Sequence, residues 1–399
     1  MEMKSTHALT ATALNKNIET LSPPPIPLVK AWLDAYSGGA GPIIDLSQAV
    51  PNYPPHPKLR AELAKITEDL SVYGYGPIEG ENELRDVYAQ NVSTLYKAEI
   101  NADHTLITSG CNQAFVTAIM TIAKAGDQIL LSNPFYFNHE TSMEMLGIEV
   151  GRFDLNAEQA LVPDLNSIED AIEDNTRAIA LVSPNNPTGA VYSADLLDKI
   201  FDLCQRRGIW LILDETYRDF LSGKDARPHN LFSKENWQET LIQLYSFSKS
   251  FCIPGLRLGA IVAGRDAVMQ MGKVMDNIQI CAPRPPQLAI ARLMDDLKTW
   301  REENRQEIQN RSDAMIGAMR QAPTWEIVAI GAYFSYIRHP YPNKTSIEVA
   351  EALAKDCGLL TIPGEFFGDG QQQFLRFAFA NEEVAAIKEI PERLKYIKF

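Results

Sequence analysis

Leu241-Ile-Gln-Leu-Tyr-Ser-Phe-Ser-Lys-Ser-Phe-Cys-Ile-Pro-Gly-Leu-Arg-Leu-Gly259 decides how the rest of the chain is read. Leu241 to Leu244 is an apolar run of buried-strand type. Hydroxyl residues then surround Lys249, and a Pro-Gly turn leads to Arg257 and a second apolar strand. Burying an ammonium without a partner is costly. The lysine is therefore either a solvated loop residue or an amine that the fold keeps neutral, and a desolvated lysine is the usual imine-forming nucleophile. Ser246, Lys249 and Arg257 lie within one short strand-loop-strand unit, so hydroxyl, amine and guanidinium can converge. Hydroxyl and guanidinium suit a phosphate. The amine beside them suits an aldehyde.

Outward from this unit, short apolar strands alternate with helices. Leu106–Thr108 precedes a helix over Asn112–Ala125, and Gln128–Leu131 one around Thr141–Leu146. Ala178–Val182, Trp210–Leu213, Leu241–Leu244 and Gly259–Val262 continue the series. Continuously apolar strands separated by helices predict a mostly parallel sheet covered on both faces, a three-layer αβα domain. After about Pro286 long polar-apolar helices (Gln287 to Gln321) and a strand-helix mixture follow, as in a smaller α/β domain. The expected division is an N-terminal arm and part of the small domain over 1–45, a large domain over 46–286 and a small C-terminal domain over 287–399. In the first part, the polar stretch to Ser22 reads as an arm, Pro23–Pro27 as an extended connector, and Leu28–Tyr36 as a helix. Ile43–Leu46 reads as a short strand and Lys58–Leu70 as an amphipathic helix.

Composition narrows the function. A net charge of −14 argues against nucleic acid or an anionic membrane surface as partner. The five cysteines are scattered without a Cys-x-x-Cys pair, which fits a reducing compartment and neither a disulfide framework nor a zinc site. Met1 to Lys16 lacks the apolar core of a secretory signal, and no run reaches transmembrane length. The expectation is a cytoplasmic protein without a metal.

In open α/β sheets ligands sit beyond the carboxyl ends of the strands, and the unusual residues cluster there. Ser109-Gly110-Cys111-Asn112 lies at a strand-to-helix turn, where backbone amides and a glycine let an anion approach. Asp214 ends the apolar strand Trp210–Leu213. It is either a helix N-cap or an anion facing the pyridine nitrogen of pyridoxal phosphate, a cofactor with both an aldehyde and a phosphate. Tyr217, three residues on, is a core tyrosine or a hydrogen-bond donor to the ring's phenolic oxygen. Ser183-Pro-Asn-Asn-Pro-Thr-Gly189 is a turn that does not itself require Asn186, whose amide could donate to the same oxygen. Asn133-Pro-Phe-Tyr136 offers an aromatic ring to lie on the pyridine, with packing alone as the other reading. Arg376 alternates with apolar residues in Phe374–Phe379 and needs a planar carboxylate partner, from a substrate or from a structural salt bridge.

Pyridoxal phosphate carries both the aldehyde and the phosphate that these residues suit. The lysine segment, the Asn-Pro-Thr-Gly run, Tyr73-Gly-Tyr-Gly-Pro-Ile-Glu-Gly80 and Ile362-Pro-Gly-Glu-Phe-Phe-Gly368 resemble the motifs of class I/II aminotransferases, the fold-type I pyridoxal-phosphate enzymes. The resemblance runs in the family's order from roughly Leu46 to Phe379. It implies that Lys249 binds the cofactor aldehyde and then serves as proton carrier. It also implies Tyr136, rather than Phe135, on the ring and Arg376 on the substrate α-carboxylate. A tyrosine at the position of Tyr75 would reach the phosphate of a neighbouring subunit, so the protein would be at least a homodimer. The implied reaction is ping-pong transfer of an amino group from an L-amino acid to a 2-oxo acid.

One residue departs from the pattern, and a second is a curiosity beside it. Ala49, in Leu46-Ser-Gln-Ala49, stands where the family usually has glycine close to the substrate carboxylate, which leaves the substrate open. Arg284, in Ile278-Gln-Ile-Cys-Ala-Pro-Arg-Pro-Pro286, either reads an acidic substrate side chain across a subunit interface or is a surface arginine in a proline-rich linker. The same lysine, aspartate and arginine would also serve a carbon–sulfur lyase or a cyclase, because α-proton removal is common to all. A ligand-sensing regulator would need an added DNA-binding domain, for which the N-terminal region leaves no room.

Overall fold

The computed structural model describes residues 12–223 and 227–399. The beginning of the expected N-terminal arm, residues 1–11, therefore lies outside the described residues. Strand β1, Ile44–Asp45, comes first. Seven strands then build one sheet: β2 (Thr105–Thr108), β3 (Gln128–Asn133), β4 (Glu149–Asp154), β5 (Thr176–Val182), β6 (Trp210–Asp214), β7 (Leu241–Ser246) and β8 (Gly259–Val262). Their spatial order is β2-β8-β7-β6-β5-β3-β4, and all pairs are parallel except those of β8. Every residue of β3, β7 and β8 is buried, as both-face coverage requires. Each leucine or isoleucine so buried contributes about 1.5–3 kcal/mol.

Strand β4 was not expected from sequence. It lies at the sheet edge with Glu149, Arg152 and Asp154 exposed, so it lacks the apolar run of its neighbours. The stretch Pro23–Pro27 is not wholly extended either: a helix starts at Pro25 and runs to Ala31. Proline fits the first turn of a helix because its missing N–H has no partner there in any case.

The second sheet holds β9 (Glu326–Gly331), β10 (Phe334–Arg338), β12 (Ile362–Pro363) and β13 (Phe374–Phe377), in the order β12-β13-β10-β9. Between them β11, Leu359–Leu360, pairs with β1 and so ties the chain start to the C-terminal part. The helical region after Pro286 is two helices, Arg284–Leu293 and Lys298–Met319. The first packs on helices Pro57–Ile66 and Asn82–Tyr96. Arg284 is thus the first residue of a helix and not part of a linker. Among the described residues no helix is long and apolar enough to cross a membrane.

Candidate active site

The parallel strands β5 and β6 end side by side, with Val182 in register with Asp214. Antiparallel β8 returns to β7 with Gly259 opposite Ser246, and to β2 with Gly259 opposite Thr108. These ends open into one cavity of about 220 Å³, lined by Cys111, Asn112, Tyr136, Val182, Asn186, Asp214, Thr216, Tyr217, Ser246, Ser248, Lys249, Pro254 and Arg257. Nine residues of that lining were predicted from sequence. A larger cavity of about 730 Å³ lies elsewhere, against Asp86, Lys97, Asp219, Arg227 and Lys298, and none of the predicted residues lines it.

One end of the cavity is an anion cradle. The helix Cys111–Ile122 begins after Gly110, whose φ is 89°. A methyl group on Gly110 would run into the guanidinium of Arg257, and one on Gly259 would meet the Gly110 carbonyl carbon at 2.6 Å. Two glycines therefore let the start of this helix, β8 and the Arg257 side chain converge. Arg257 donates to the Pro254 carbonyl at 2.9 Å and sits in the left-handed region at φ 52°, a conformation that costs a side-chain-bearing residue about 1–2 kcal/mol. The Ser246 hydroxyl accepts from the Ser248 amide at 3.3 Å and caps the short helix Phe247–Ser250 that carries Lys249. Ser109 lies beside the cradle, where its hydroxyl accepts a hydrogen bond from the Gln279 side-chain amide.

At the cavity floor Asp214 is buried, which by itself raises a carboxyl pKa. His139 and the Thr216 N–H outweigh that and hold it below the usual carboxylate range. The Thr216 amide donates to Oδ1 at 2.9 Å, and His139 Nε2 stands 3.5 Å from Oδ2. His139 is itself stacked on Phe115 at 3.8 Å. Sequence reading gave this histidine no function. A usable signal was its spacing, three residues after Tyr136 on one turn of a helix, where the two rings meet edge to face at 5.2 Å. Tyr217 is buried and packs edge-on against Phe334, and burial pushes its hydroxyl well above the ordinary pKa. Burial likewise brings Tyr136 to about 12. Phe135 packs away beneath Arg152.

Lys249 has its pKa lowered to about 8, by burial first and then by the charges of Arg376 and Arg257. Its Nζ donates to the Ala49 carbonyl at 2.5 Å. Arg376 is buried on β13, and burial lowers its pKa to about 10. It donates to Asn186 Oδ1 at 3.0 Å and to the Ser47 carbonyl, while its Nε has no partner. Ser47 to Ala49 thus bridges the two cations. No carboxylate is paired with Arg376, so the structural salt bridge considered for it is absent among the described residues. Tyr75 is not brought to the cavity: 80% of its surface is exposed.

A buried polar network lies behind the two catalytic candidates. Asp219 receives hydrogen bonds from the hydroxyls of Ser250 and, at 2.6 Å, Tyr245. Glu215 receives the Tyr96 hydroxyl at 2.5 Å and the Gln243 amide at 2.6 Å. Arg218 lies between the two carboxylates over the Tyr245 ring, 4.1 Å from its centroid. The residue after Lys249 and the residue after Asp214 are thus both fixed from below.

These residues fit pyridoxal phosphate on two observations: a cradle that a single Cβ would fill, and a buried arginine with an orphan donor beside it. Comparison with known proteins agrees. The family model for aminotransferase class I and II matches residues 41–394. The aromatic aminotransferase ISS1 of Arabidopsis thaliana is 26% identical over 359 residues, 88% of this chain and 89% of that protein. The aspartate aminotransferase of Sulfolobus acidocaldarius is 25% identical over 366 residues, with 88% and 89% covered. Among solved structures, a single mutant of Thermus thermophilus aspartate aminotransferase superposes with a TM-score of 0.87 at 21% identity, over 96% of this chain and 99% of that one. BacF from Bacillus subtilis gives 0.88 at 22%, over 96% and 98%. At these identities the structures speak for the fold.

Proposed function

The chain belongs to the aminotransferase class I and II family and is a pyridoxal-phosphate-dependent aminotransferase, and from that premise we propose what its own residues do. Bound pyridoxal phosphate supplies an aldehyde for a primary amine and a ring that takes up the electron pair left when an α-proton departs. Ser109, Gly110, Cys111, Asn112, Ser246 and Arg257 would hold its phosphate. Asp214 would hold the ring nitrogen, Tyr217 and Asn186 the phenolic oxygen, and Tyr136 the ring face. Lys249 takes the α-proton at Nζ and returns it, a task for which a pKa near 8 is well placed. Asp214 stays ionised, held by His139 and Thr216, and so keeps a proton on the group facing it. Arg376 binds the substrate α-carboxylate with Asn186 alongside, and the Ala49 backbone borders the substrate.

The observation that carries this reading is the convergence of Lys249, Asp214 and Arg257 on one cavity from three strand ends. Two further readings rest on less. Tyr75 stands away from its own cavity with Leu70 and Tyr73 beside it, all three largely exposed, and we place a second copy of the chain over them. Five free cysteines without a disulfide support a cytoplasmic location.

The test is a single turnover of cofactor-loaded protein with a panel of L-amino acids and no oxo acid. One equivalent of matching 2-oxo acid per site, with loss of the visible cofactor band, identifies the donor. Release of ammonia, thiol or a cyclised product with return of the band would make the enzyme a lyase or cyclase.

A further inference from the structure

Arg284 has no part in the chemistry above. Its Nε pairs with Glu81, and its Nη1 donates to the carbonyls of Ser71 at 2.6 Å and Gly74 at 3.3 Å. Both charged side chains are mostly covered, at 19% and 12% exposure. The loop from these acceptors to Glu81 is built around the pair. A Cβ on Gly76 would lie 2.9 Å from the Glu81 carboxylate and 3.1 Å from the Arg284 side chain. Gly80, at φ +105°, leaves no room for one against Ile107. The same underside is tied by the Glu81 amide to Gln287 Oε1 at 2.7 Å, by the Gly76 amide to Cys281 Sγ at 3.4 Å, and by the Ile107 amide to the Glu79 carbonyl at 2.9 Å. The outer side bears Leu70, Tyr73 and Tyr75 at 83%, 71% and 80% exposure.

We infer that Arg284 is a positioning residue: it locks the underside of the Leu70–Glu81 loop so that Tyr75 is presented in one conformation, and it does not read a substrate side chain. With Nε and Nη1 both engaged, the guanidinium would have to give up at least one of these contacts to bind a dicarboxylic substrate in bidentate fashion, and loss of the Nε contact would leave the mostly covered Glu81 unpaired. The value of a fixed loop to a second copy rests on the dimer proposed above. The lock itself does not.

The experiment compares backbone hydrogen exchange over residues 74–81 in cofactor-loaded wild type, Arg284→Ala and Glu81→Gln. It also measures kcat/KM with L-aspartate, L-glutamate and L-phenylalanine. Exchange at least about ten-fold faster in both variants is expected, since each loses charge-assisted hydrogen bonds. Any change in kcat/KM should be by a similar factor for every donor. Unchanged exchange overturns the lock, and a loss confined to aspartate and glutamate overturns the denial of a substrate role. Should Arg284→Ala not fold, Glu81→Gln alone decides the lock, and Arg284→Lys, which keeps charge without the fork, decides the selectivity. Sedimentation of the wild type as a monomer would remove the second-copy reading while leaving the exchange result standing.

Discussion

Removing the cofactor from the protein exposes the titration of Lys249, and the structure sets its expected midpoint. An ordinary lysine titrates near 10.4, whereas this amine is lowered to about 8. The lowering amounts to about 3 kcal/mol against the charged form. At pH 7 about one Lys249 in ten is then neutral, against roughly one in 2,500 for an exposed lysine. Reductive methylation of the stripped protein, followed residue by residue by mass spectrometry across pH 6–11, should give Lys249 a midpoint near 8 and surface lysines midpoints near 10. Arg376→Met should move the Lys249 midpoint upward, because the Arg376 charge stands next to burial among the causes. Linkage gives the sign for stability. Between pH 8 and about 10.4 the unfolded chain binds a proton that the folded chain lacks, so this residue's contribution improves as pH rises through that window. Below it the full cost is present. A Lys249 midpoint near 10 in the stripped wild type would refute the claim that the fold keeps this amine ready as a base.

Two further outcomes follow from the cavity. Asp214→Asn should retain cofactor but lose at least about 100-fold in turnover, and His139→Ala, which removes only a support for that carboxylate, should lose roughly ten-fold. Steady-state kcat beside cofactor titration separates the two effects, and equal losses would show that His139 does more than hold Asp214. Gly110→Ala should weaken cofactor retention by about ten-fold or more with little change in kcat at saturating cofactor, because the added methyl displaces Arg257. Equilibrium dialysis checks it, and undiminished affinity would mean that the cradle is not where the phosphate lies.

Much of this architecture was legible in the sequence, and the reasons can be named. Strands β5 to β8 are covered on both faces over most of their length, so their burial appears as largely apolar runs, broken only by residues such as Gln243 and Arg177. The edge strand β4 sets charged Glu149, Arg152 and Asp154 among Val150, Gly151 and Phe153 and carries no such mark. The reversal of β8 was not legible, because periodicity records burial and not direction. Most of the cavity lining was found because special residues stand at the ends of recognisable strands. His139 was passed over, since its meaning comes from a carboxylate 75 positions away and from the Phe115 ring. Arg284 illustrates the opposite error. Flanking prolines suggested a linker, yet they occupy the first turn of a helix, where proline is welcome.

The returning strand β8 has a consequence for how the molecule is made. Gly110 and Gly259, which close on each other in the cradle, are about 150 positions apart in the chain, and Arg376 is made later still. A chain emerging from the ribosome therefore carries the first half of the cradle long before the second exists, and no partial product can grip a phosphate in this way. Cofactor capture is therefore confined to molecules whose synthesis has passed β8, and the ligand can stabilise only chains that already hold both halves of the cradle.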